Sequence, residues 1–598
     1  MTEMPSDCPL STEPDSSPVV SRINVRFSPG GHRATCLATD DDGHAYVELW
    51  ALDQDGPARL DRWPVTTAAT ATLAVPQDDG RVLLTSYQPD GQSFALLHEG
   101  RWTKLGVHLP VNLRLLPAPP AADLLAGCAV SSRPDGTTTL FRISAAEPWL
   151  EVVCTLPTTL SGGVVAGEDL LFTAIESGER TPVLIDPVSG RSVLPTESRS
   201  CSAVLAAGDV LLVAEGNRLG LALRDGCAPV WTVPEPGDLG GPATPVALDP
   251  TASLLALVVN RGARSGLVLL DIRDGSTREV DVPPCTLGSQ AAWTEHGLWI
   301  TASTPSRPED FVWVPNPDTV HWSRAEGAWA RGHTETFTGP AGPIEAVVHG
   351  PDWRTSDKVV IALHGGPADQ WRFGFDRFFQ SLVAAGVSVV ALNQRGSTGY
   401  GAAHAHAING DWGGPDLADV CEVAARVTAE RGDAELPALY GVSYGAHLAL
   451  LAAAAEPAAW SSCVAVAPFL SARGLYPETT DAVRAMIDRL GGQATEKDLS
   501  LLAREIRVPV LLAHGALDES IPVGQSRALA DRIPDCTYYE LPERGHFVLG
   551  DAAADPVASA VVAFVAEPRN SPTAVGKKNN DGGGHHGART RRVAGASR

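Results

Sequence analysis

The residues with the clearest chemical potential lie at positions 441–445, Gly-Val-Ser-Tyr-Gly, which has the form Gly-x-Ser-x-Gly. An apolar run precedes them at residues 437–440, and an alanine-rich run follows at residues 446–455. A strand that turns sharply into a helix can hold a serine in a strained conformation, with its hydroxyl exposed above the sheet. The N-terminal amides of the helix would stabilise negative charge at the same place. The pattern predicts that Ser443 is a nucleophile that forms an acyl ester, although a chain with 58 glycines can contain it by chance.

Two later loops carry side chains that could activate Ser443. Asp518 lies beyond an apolar run at residues 508–513, and His546 follows the last strand-like run. In α/β-hydrolases the nucleophile, acid and histidine occur in this chain order, in loops at strand ends. Glu519 is the alternative acid. Asp518 could instead be a solvated loop carboxylate, and His546 could be a structural histidine. The joint occurrence of these features predicts a catalytic triad of Ser443, Asp518 and His546.

Three further histidines in this half of the chain are weaker candidates for the general base. His364 and His514 follow strand-like runs, where an imidazole can hydrogen-bond to the backbone. His447 lies one turn beyond the serine on the predicted helix. We expect all three to have packing or hydrogen-bonding roles.

A glycine pair follows the first buried strand of this half, in the sequence His-Gly-Gly-Pro at residues 364–367. Glycines at this point would allow a backbone N–H to face inward as one oxyanion donor. The N–H of Tyr444, immediately after the nucleophile, is the expected second donor. A tight turn without a catalytic role is the alternative explanation for the glycine pair.

The elements that must position these groups alternate between strand-length apolar runs and helical stretches. Strands are predicted at residues 358–363, 387–392, 437–440, 463–467, 508–513 and 537–541, and helices at residues 376–385, 417–430, 446–455, 525–532 and 557–566. Such alternation predicts a doubly wound, mostly parallel sheet that binds ligands at the carboxyl ends of its strands. We assign residues 331–566 to this α/β-hydrolase domain. Residues 332–343, rich in Gly, Thr and Pro, are expected to form the crossing from the preceding domain.

The first half of the chain repeats a different pattern. Apolar runs alternate with turns of Gly, Asp, Asn and Pro, and the units recur at intervals of about 40 to 47 residues. Seven such units predict a seven-bladed β-propeller at residues 21–330. A pair of β-sandwiches or a solenoid is the alternative. The histidines of this region are expected in turns and at the surface rather than as ligands (His32, His44 and His98).

Composition restricts the class of protein further. A chain of 598 residues is expected to form two large domains. The formal net charge of −24 argues against nucleic acid as a partner. The chain has no apolar run long enough to predict a membrane span, and residues 1–18 lack the features of a secretory signal. The 10 cysteines are scattered singly, without a zinc-binding pair, which fits a reducing cytoplasm.

Both ends of the chain are polar. Residues 1–20 are rich in Ser, Pro, Asp and Glu, and residues 567–598 are rich in Gly, Asn, His, Lys and Arg. Segments of this composition cannot bury enough apolar surface to form a core, so we expect both to be disordered.

The motifs together resemble the prolyl oligopeptidase family of serine peptidases, on its acylaminoacyl-peptidase branch. The resemblance extends over about residues 21–566 and rests on the motifs at residues 364–367, 393–401, 411–414 and 441–445, on the loops of Asp518 and His546, and on residues 305–314, which resemble the last blade of the family's propeller. Two positions depart from the family pattern. Gln394 stands where the family usually has Tyr, and Ala446 stands where it often has Gly.

The resemblance implies a propeller that caps the active site and admits only short or unfolded peptides. It assigns Ser443 as nucleophile, Asp518 and His546 as its partners, and the N–H groups of Gly366 and Tyr444 as oxyanion donors. It implies a serine peptidase that forms an acyl-enzyme and needs no metal or cofactor. The alternatives are an esterase, a thioesterase or a peptide macrocyclase with the same triad, or a propeller interaction protein with an inactive hydrolase. The expected partner is a peptide substrate, without nucleic acid or membrane, and a homo-oligomer is possible.

Overall fold

The computed structural model describes residues 19–65, 72–88, 91–109, 113–120, 125–133, 135–145, 149–195, 200–216, 218–224, 239–322, 329–495, 497–549, 555–568 and 591–594. In these residues, a set of antiparallel sheets is followed by one large mixed sheet flanked by helices. This arrangement is a β-propeller joined to an α/β-hydrolase domain, so the fold class expected from the sequence is confirmed.

The propeller strands follow one another as antiparallel hairpins. They are β1 (Val19–Phe27), β2 (Arg33–Asp40), β3 (Ala45–Asp53), β4 (Gly56–Val65), β5 (Thr72–Pro76), β6 (Val82–Gln88), β7 (Gly91–His98), β8 (Arg101–Leu109), β9 (Leu113–Leu116), β10 (Leu125–Ser132), β11 (Thr138–Ser144), β12 (Leu150–Leu156), β13 (Thr159–Ala166), β14 (Asp169–Glu176), β15 (Glu179–Ile185), β16 (Ser192–Val193), β17 (Ser202–Ala207), β18 (Val210–Glu215), β19 (Arg218–Leu223), β20 (Ala243–Leu248), β21 (Leu254–Arg261), β22 (Arg264–Asp271), β23 (Thr277–Thr294), β24 (Gly297–Thr304), β25 (Arg307–Asn316) and β26 (Thr319–Trp322). Strands β1 to β19 form five sheets in sequence order, and β20 to β26 form a sheet of seven strands.

The long strand β23 divides this seven-stranded sheet into two blades. Its residues 277–285 pair with β22, and its residues 286–294 pair with β24. Blade 6 therefore consists of β20, β21, β22 and the first part of β23, and blade 7 consists of the second part of β23 with β24 to β26. The described strands thus form seven blades. In the described residues, the fifth blade has three strands, β17 to β19.

Apolar residues on both faces of the inner strands explain why the blades stack. Strand β2 is buried along almost its whole length, and its Leu37 packs against Val82 of the next blade. The ring closes where Trp299 and Phe311 of blade 7 pack against Val25 of blade 1. Burying one such side chain contributes about 1.5–3 kcal/mol relative to leaving it exposed.

The second domain is built on a nine-stranded sheet of order β27-β28-β30-β29-β31-β32-β33-β34-β35. Its strands are β27 (Gly332–Gly339), β28 (Gly342–His349), β29 (Lys358–Leu363), β30 (Val387–Leu392), β31 (Ala438–Val442), β32 (Cys463–Val466), β33 (Val510–Gly515), β34 (Cys536–Leu541) and β35 (Arg591–Ala594). Its helices are α1 (Arg377–Ala384), α2 (Ala402–Ala405), α3 (Pro415–Arg431), α4 (Tyr444–Ala455), α5 (Ala472–Leu475), α6 (Asp481–Arg489), α7 (Leu499–Leu502), α8 (Gly524–Ala530) and α9 (Pro556–Ala566). Strand β28 runs antiparallel to its two neighbours, β27 and β30, and β29 to β35 run parallel.

Helices cover both faces of this sheet, as its largely apolar central strands require. Residues of α1 and α9, such as Phe379 and Val561, pack on one face. Residues of α3, α4 and α8, such as Val423, Leu448 and Leu529, pack on the other. Within the described residues, none of the helices is long and apolar enough to cross a membrane.

The structure differs from the sequence-based expectation at three places. Residues 332–343 do not form a simple crossing, because most of them belong to the β27–β28 hairpin, where the Thr-rich strand β27 and the apolar residues of β28 outweigh the flanking Gly and Pro. Strand β1 begins at Val19, two residues inside the segment expected to be disordered. Residues 591–594 of the expected disordered tail form β35 on the edge of β34, because an open edge offers unpaired backbone groups. Most of the rest of the tail lies outside the described residues.

Candidate active site

Ser443 lies between β31 and α4, at the carboxyl edge of the parallel strands. Its backbone has φ +56° and ψ −118°, a sparsely populated conformation that costs about 1–3 kcal/mol. The surroundings enforce it. A Cβ atom on Gly441 would overlap the carbonyl of Gly445, and one on Gly445 would overlap the carbonyl of Leu363 in β29. The Ser443 N–H also donates to the carbonyl of Val466 in β32, at 2.8 Å, which fixes the turn to the next strand.

Asp518 and His546 meet in the loops that follow β33 and β34. The Nδ1–H of His546 donates to Oδ2 of Asp518 at 2.7 Å. The other carboxylate oxygen of Asp518 accepts the N–H groups of Ser520 and Ile521, at 2.9 Å and 2.8 Å. With its Nδ1 so engaged, His546 has Nε2 available for a proton from another group.

A third side chain holds the same carboxylate. The Nε2 of His514, fully buried in β33, lies 3.2 Å from Asp518 Oδ2 and 2.8 Å from the carbonyl of Ile521. Because both neighbours can only accept, Nε2 carries the proton. Burial favours a higher pKa for Asp518, but the hydrogen bonds from His514, His546 and the backbone outweigh it and hold the pKa well below its usual range. Asp518 is therefore a carboxylate throughout the neutral pH range.

Ser443 and His546 line one cavity of about 730 Å³ between the two domains. The side chain of His546 is about a quarter exposed there, and the neighbouring Phe547 is 82% exposed. The propeller supplies the opposite wall through blades 1 and 7, with Arg22 and Glu309 among its polar groups. The three side chains expected to form a triad are thus brought to one place, two of them in direct contact and the third on the shared cavity wall.

The two expected oxyanion donors flank Ser443. Gly366 lines the cavity, and the described backbone contains no carbonyl that accepts its N–H. The loop that carries it lies against the serine, since a Cβ atom on Gly365 would be 3.4 Å from the Ser443 Cβ. Tyr444 is the first residue of α4, and the N–H groups of a helix's first turn have no acceptor within the helix. Both amides are therefore free to bind an anion next to Ser443.

The side chain of Tyr444 points into the core and anchors the start of α4. Its hydroxyl donates to the buried carboxyl of Asp416, and its ring packs edge-on against Trp412. Burial raises the pKa of Asp416 to about 7, although the hydrogen bonds it accepts lower it. This contact gives the Asp-Trp-Gly-Gly motif at residues 411–414 a structural role that the sequence alone did not indicate.

The rival histidines have other partners. The ring of His364 contacts the Ser397 hydroxyl and the Gly365 carbonyl, both at 2.7 Å, and its burial lowers its pKa. His447 donates from Nδ1 to the carbonyl of Phe469 and stacks on that ring, and burial lowers its pKa to about 4. His514 does not take the place of His546, but it holds the acid, a role that its position in a strand end did not reveal.

Of the two departures from the family pattern, Gln394 has a visible consequence. It is buried behind His364, with its amide nitrogen 3.3 Å from His364 Nε2, and its buried Oε1 has no hydrogen-bond partner among the described residues. Ala446 is buried within α4, and its methyl group is accommodated in the core.

Comparisons with known proteins find similar sequences mainly for the α/β-hydrolase domain. Residues 373–568 match the sequence model of the prolyl oligopeptidase family. Dipeptidyl aminopeptidase BIII of Pseudoxanthomonas mexicana is 28% identical over 208 residues, which is 31% of this chain and 30% of the relative. The acylamino-acid-releasing enzyme of Rattus norvegicus is 26% identical over 214 residues, 33% of this chain and 29% of the relative. The chain thus matches less than a third of the length of these curated relatives.

Solved structures extend the likeness of fold to both domains. An acylaminoacyl peptidase of Pyrococcus horikoshii superposes with a TM-score of 0.68 at 15% identity, over 88% of this chain and 92% of that one. A puromycin-hydrolyzing peptidase of Mycobacterium tuberculosis superposes with a TM-score of 0.65 at 17% identity, over 92% and 96% of the two chains. The strained serine turn, the contact between Asp518 and His546 and the matching family sequence converge on one assignment. Residues 373–568 of the α/β-hydrolase domain match the prolyl oligopeptidase family.

Proposed function

We propose that the chain is a serine peptidase that hydrolyses short or unfolded peptides through an acyl-enzyme. The observation that carries the proposal is the placing of Ser443, in its strained turn, on the same cavity wall as His546, whose Nδ1 is held by Asp518. A buried carboxylate, an imidazole with one free nitrogen and an exposed serine hydroxyl are the parts needed for acyl transfer.

The proposed reaction begins when Nε2 of His546 takes the Ser443 proton and Oγ attacks the peptide carbonyl. Asp518 keeps the imidazole in the required tautomer and stabilises its cation. The N–H groups of Gly366 and Tyr444 bind the oxyanion, and losing one such donor typically lowers the rate about 100- to 1,000-fold. His546 then protonates the leaving amine, and water attacks the ester to release the acyl group and restore Ser443.

The second wall of the cavity supports a limit on substrate size. Since blades 1 and 7 face the serine across the cavity, a folded protein would have to displace the propeller to place a peptide bond at Ser443. Peptides of increasing length should therefore be cleaved with falling efficiency, and a compact folded protein should resist cleavage until it is denatured. Equal cleavage of the folded and denatured forms would contradict the size limit.

A panel of chromogenic substrates tests the chemistry. Free aminoacyl, dipeptidyl and N-acetyl-aminoacyl p-nitroanilides should be compared with p-nitrophenyl esters, because the curated relatives include a dipeptidyl aminopeptidase and acylamino-acid-releasing enzymes. We expect amide hydrolysis that falls by about 10,000-fold or more in Ser443→Ala. Ser189→Ala, which changes an exposed serine in a propeller turn, is the matched control.

Three results would overturn the proposal. Ester turnover without any amide turnover would identify an esterase or thioesterase, and mass spectrometry showing only cyclised peptide would identify a macrocyclase. Failure of a fluorophosphonate to label the wild-type chain at Ser443 would leave the non-catalytic interpretation in place.

We also propose that the protein is cytoplasmic. The eight cysteines in the described residues are all free thiols, which persist in a reducing compartment. Fractionation of cells of the native host tests this proposal. Finding the protein in the fraction of an oxidising compartment would contradict it.

A further inference from the structure

The loop that carries Gly366 is tied to the propeller as well as to its own domain. We call residues 365–376 the oxyanion loop and residues 260–264, the hairpin connection between β21 and β22, the blade-6 turn. The N–H of Phe373 in the oxyanion loop donates to the carbonyl of Ala263 at 2.7 Å. The amide of Gln370 donates to the carbonyl of Gly262 and to Oδ1 of Asn260, both at 3.1 Å. Two elements more than 100 residues apart in the chain are thus joined beside the serine.

A second path runs from the blade-6 turn through side chains of the hydrolase. The Ala263 N–H donates to Oε2 of Glu345 at 2.8 Å, and the hydroxyl of Tyr400 donates to the same oxygen at 2.7 Å. Tyr400 accepts from Nδ2 of Asn393 at 2.7 Å. The fully buried Asn393 in turn contacts both the N–H and the carbonyl of Trp371 in the oxyanion loop.

The oxyanion loop is also held by contacts within its own domain. The N–H of Thr398 donates to the carbonyl of Asp369 at 2.9 Å, and Nε1 of Trp371 donates to the carbonyl of Ala362 in β29 at 3.0 Å. Gln370 lies four residues after Gly366, so its contacts with Asn260 and Gly262 act close to the oxyanion donor. The position of the Gly366 N–H therefore depends on contacts with the propeller as well as on contacts within the hydrolase domain.

We propose that the blade-6 turn positions the oxyanion loop, so that the propeller completes the oxyanion hole in addition to limiting access. This inference rests on the proposed peptidase function. Asn260, Gln370 and Glu345 are positioning residues, because they act on the reacting carbonyl only through Gly366. A misplacement of about 1 Å at a reacting centre can cost up to 100-fold in rate, so loosening this support should lower kcat.

Substitutions at Glu345 separate positioning from simple docking of the domains. Glu345→Ala removes the oxygen that accepts from Ala263 and Tyr400. Glu345→Gln keeps an amide oxygen that can accept from both. Asp41→Asn weakens a different contact between the domains, the ion pair of Asp41 with Arg377 at 2.6 Å, which does not involve the oxyanion loop. Asn260→Ala removes the side-chain contact with Gln370 from the propeller side and serves if Glu345→Ala fails to fold.

The measurement is kcat and KM for the best p-nitroanilide of the panel. The concentration of active sites is determined by titration with a fluorophosphonate, and kcat is calculated from it. Inhibition by a peptide aldehyde of matching sequence is measured on the same variants. We expect Glu345→Ala and Asn260→Ala to lower kcat about tenfold with KM changed less than about twofold, since the interaction is needed mainly in the transition state. Glu345→Gln and Asp41→Asn should stay within about threefold of wild type. The aldehyde, whose adduct carries an oxyanion, should bind less tightly to the two impaired variants.

Either of two results would overturn the inference. Unchanged kcat per titrated site in Glu345→Ala and Asn260→Ala would mean that the blade-6 turn only docks the domains. An equal loss of kcat in Glu345→Gln, Asp41→Asn and Glu345→Ala would mean that any weakening of the interface has the same effect. A wild-type chain without amide turnover would instead contradict the proposed function, so the two failures are distinguishable.

Discussion

The imidazole of His514 contacts the same oxygen of Asp518 that His546 contacts, at 3.2 Å against 2.7 Å. His514 is fully buried, and its Nδ1 lies 2.6 Å from the hydroxyl of Ser526 in α8. Asp518 is therefore held on one side by the buried His514 and on the other by His546, which faces the cavity.

Removing the lower contact should weaken catalysis without removing a member of the triad. In His514→Ala, Asp518 loses a donor and some of its orientation, so we expect kcat/KM to fall about tenfold and stability to fall by about 1–3 kcal/mol. His514→Gln, which keeps an N–H donor, should lose less of both. Steady-state kinetics and urea unfolding of the two variants check this, and equal activity in His514→Ala and wild type would refute a supporting role.

Neutralising the acid should have a much larger effect on rate than on fold. Asp518→Asn keeps the size of the side chain but no longer favours the tautomer of His546 with a proton on Nδ1, so kcat should fall by about 1,000- to 10,000-fold. The measurement is kcat at neutral pH with circular dichroism as the folding control. Glu519→Gln, which changes the neighbouring acid, is the matched control and should retain activity. A larger loss in Glu519→Gln would transfer the role of the acid to Glu519.

Buried neutral histidines should make the fold sensitive to mild acid. The pKa of His447 is lowered to about 4 by burial, against about 6.5 for an unfolded chain. Below pH 6.5 the unfolded chain binds the proton first, so stability falls as the pH drops from 6.5 to 4, by at most about 3 kcal/mol for this residue. His447→Gln, which can still donate to the Phe469 carbonyl, should lose less stability over this range. Urea unfolding at pH 7, 5.5 and 4.5 measures the difference, and parallel curves for the two proteins would contradict it.

Phe547 should bind substrate rather than stabilise the fold. Its ring is 82% exposed on the cavity wall beside His546. In Phe547→Ala, the loss of apolar contact should raise KM by about three- to tenfold with little change in the melting temperature. Leu501→Ala, which truncates a similarly exposed side chain outside this cavity, is the control and should alter neither quantity. A fall in melting temperature without any change in KM would assign Phe547 a structural role.

The sequence predicted those parts of the site that depend on one continuous segment of the chain. The Gly-x-Ser-x-Gly stretch predicts its own turn, because Gly441 and Gly445 are the positions where a Cβ atom has no room. The apolar runs of β29, β30 and β33 predict a parallel sheet, and such a sheet brings the loops of Asp518 and His546 to one edge.

The remaining contacts depend on which distant segments meet. Asn260 and Gln370 lie 110 positions apart in the chain, and no periodicity in either segment indicates the other. The partner of Tyr444 is Asp416, an acid that lies in the first turn of α3 and whose burial depends on how α3 packs against α4. The sequence analysis missed the β27–β28 hairpin because it gave the Gly and Pro residues at the turn more weight than the Thr-rich strand β27.

The undivided course of β23 has a mechanical consequence. Both blades that it joins touch the oxyanion loop, blade 6 through Ala263 and blade 7 through Ser303, whose hydroxyl accepts from the N–H of Phe375 at 2.8 Å. Because this strand runs unbroken through both blades and is hydrogen-bonded to a neighbouring strand in each, we expect blades 6 and 7 to keep their relative position. We therefore expect any widening of the ring to occur between other blades, so that the support of the oxyanion loop keeps its shape.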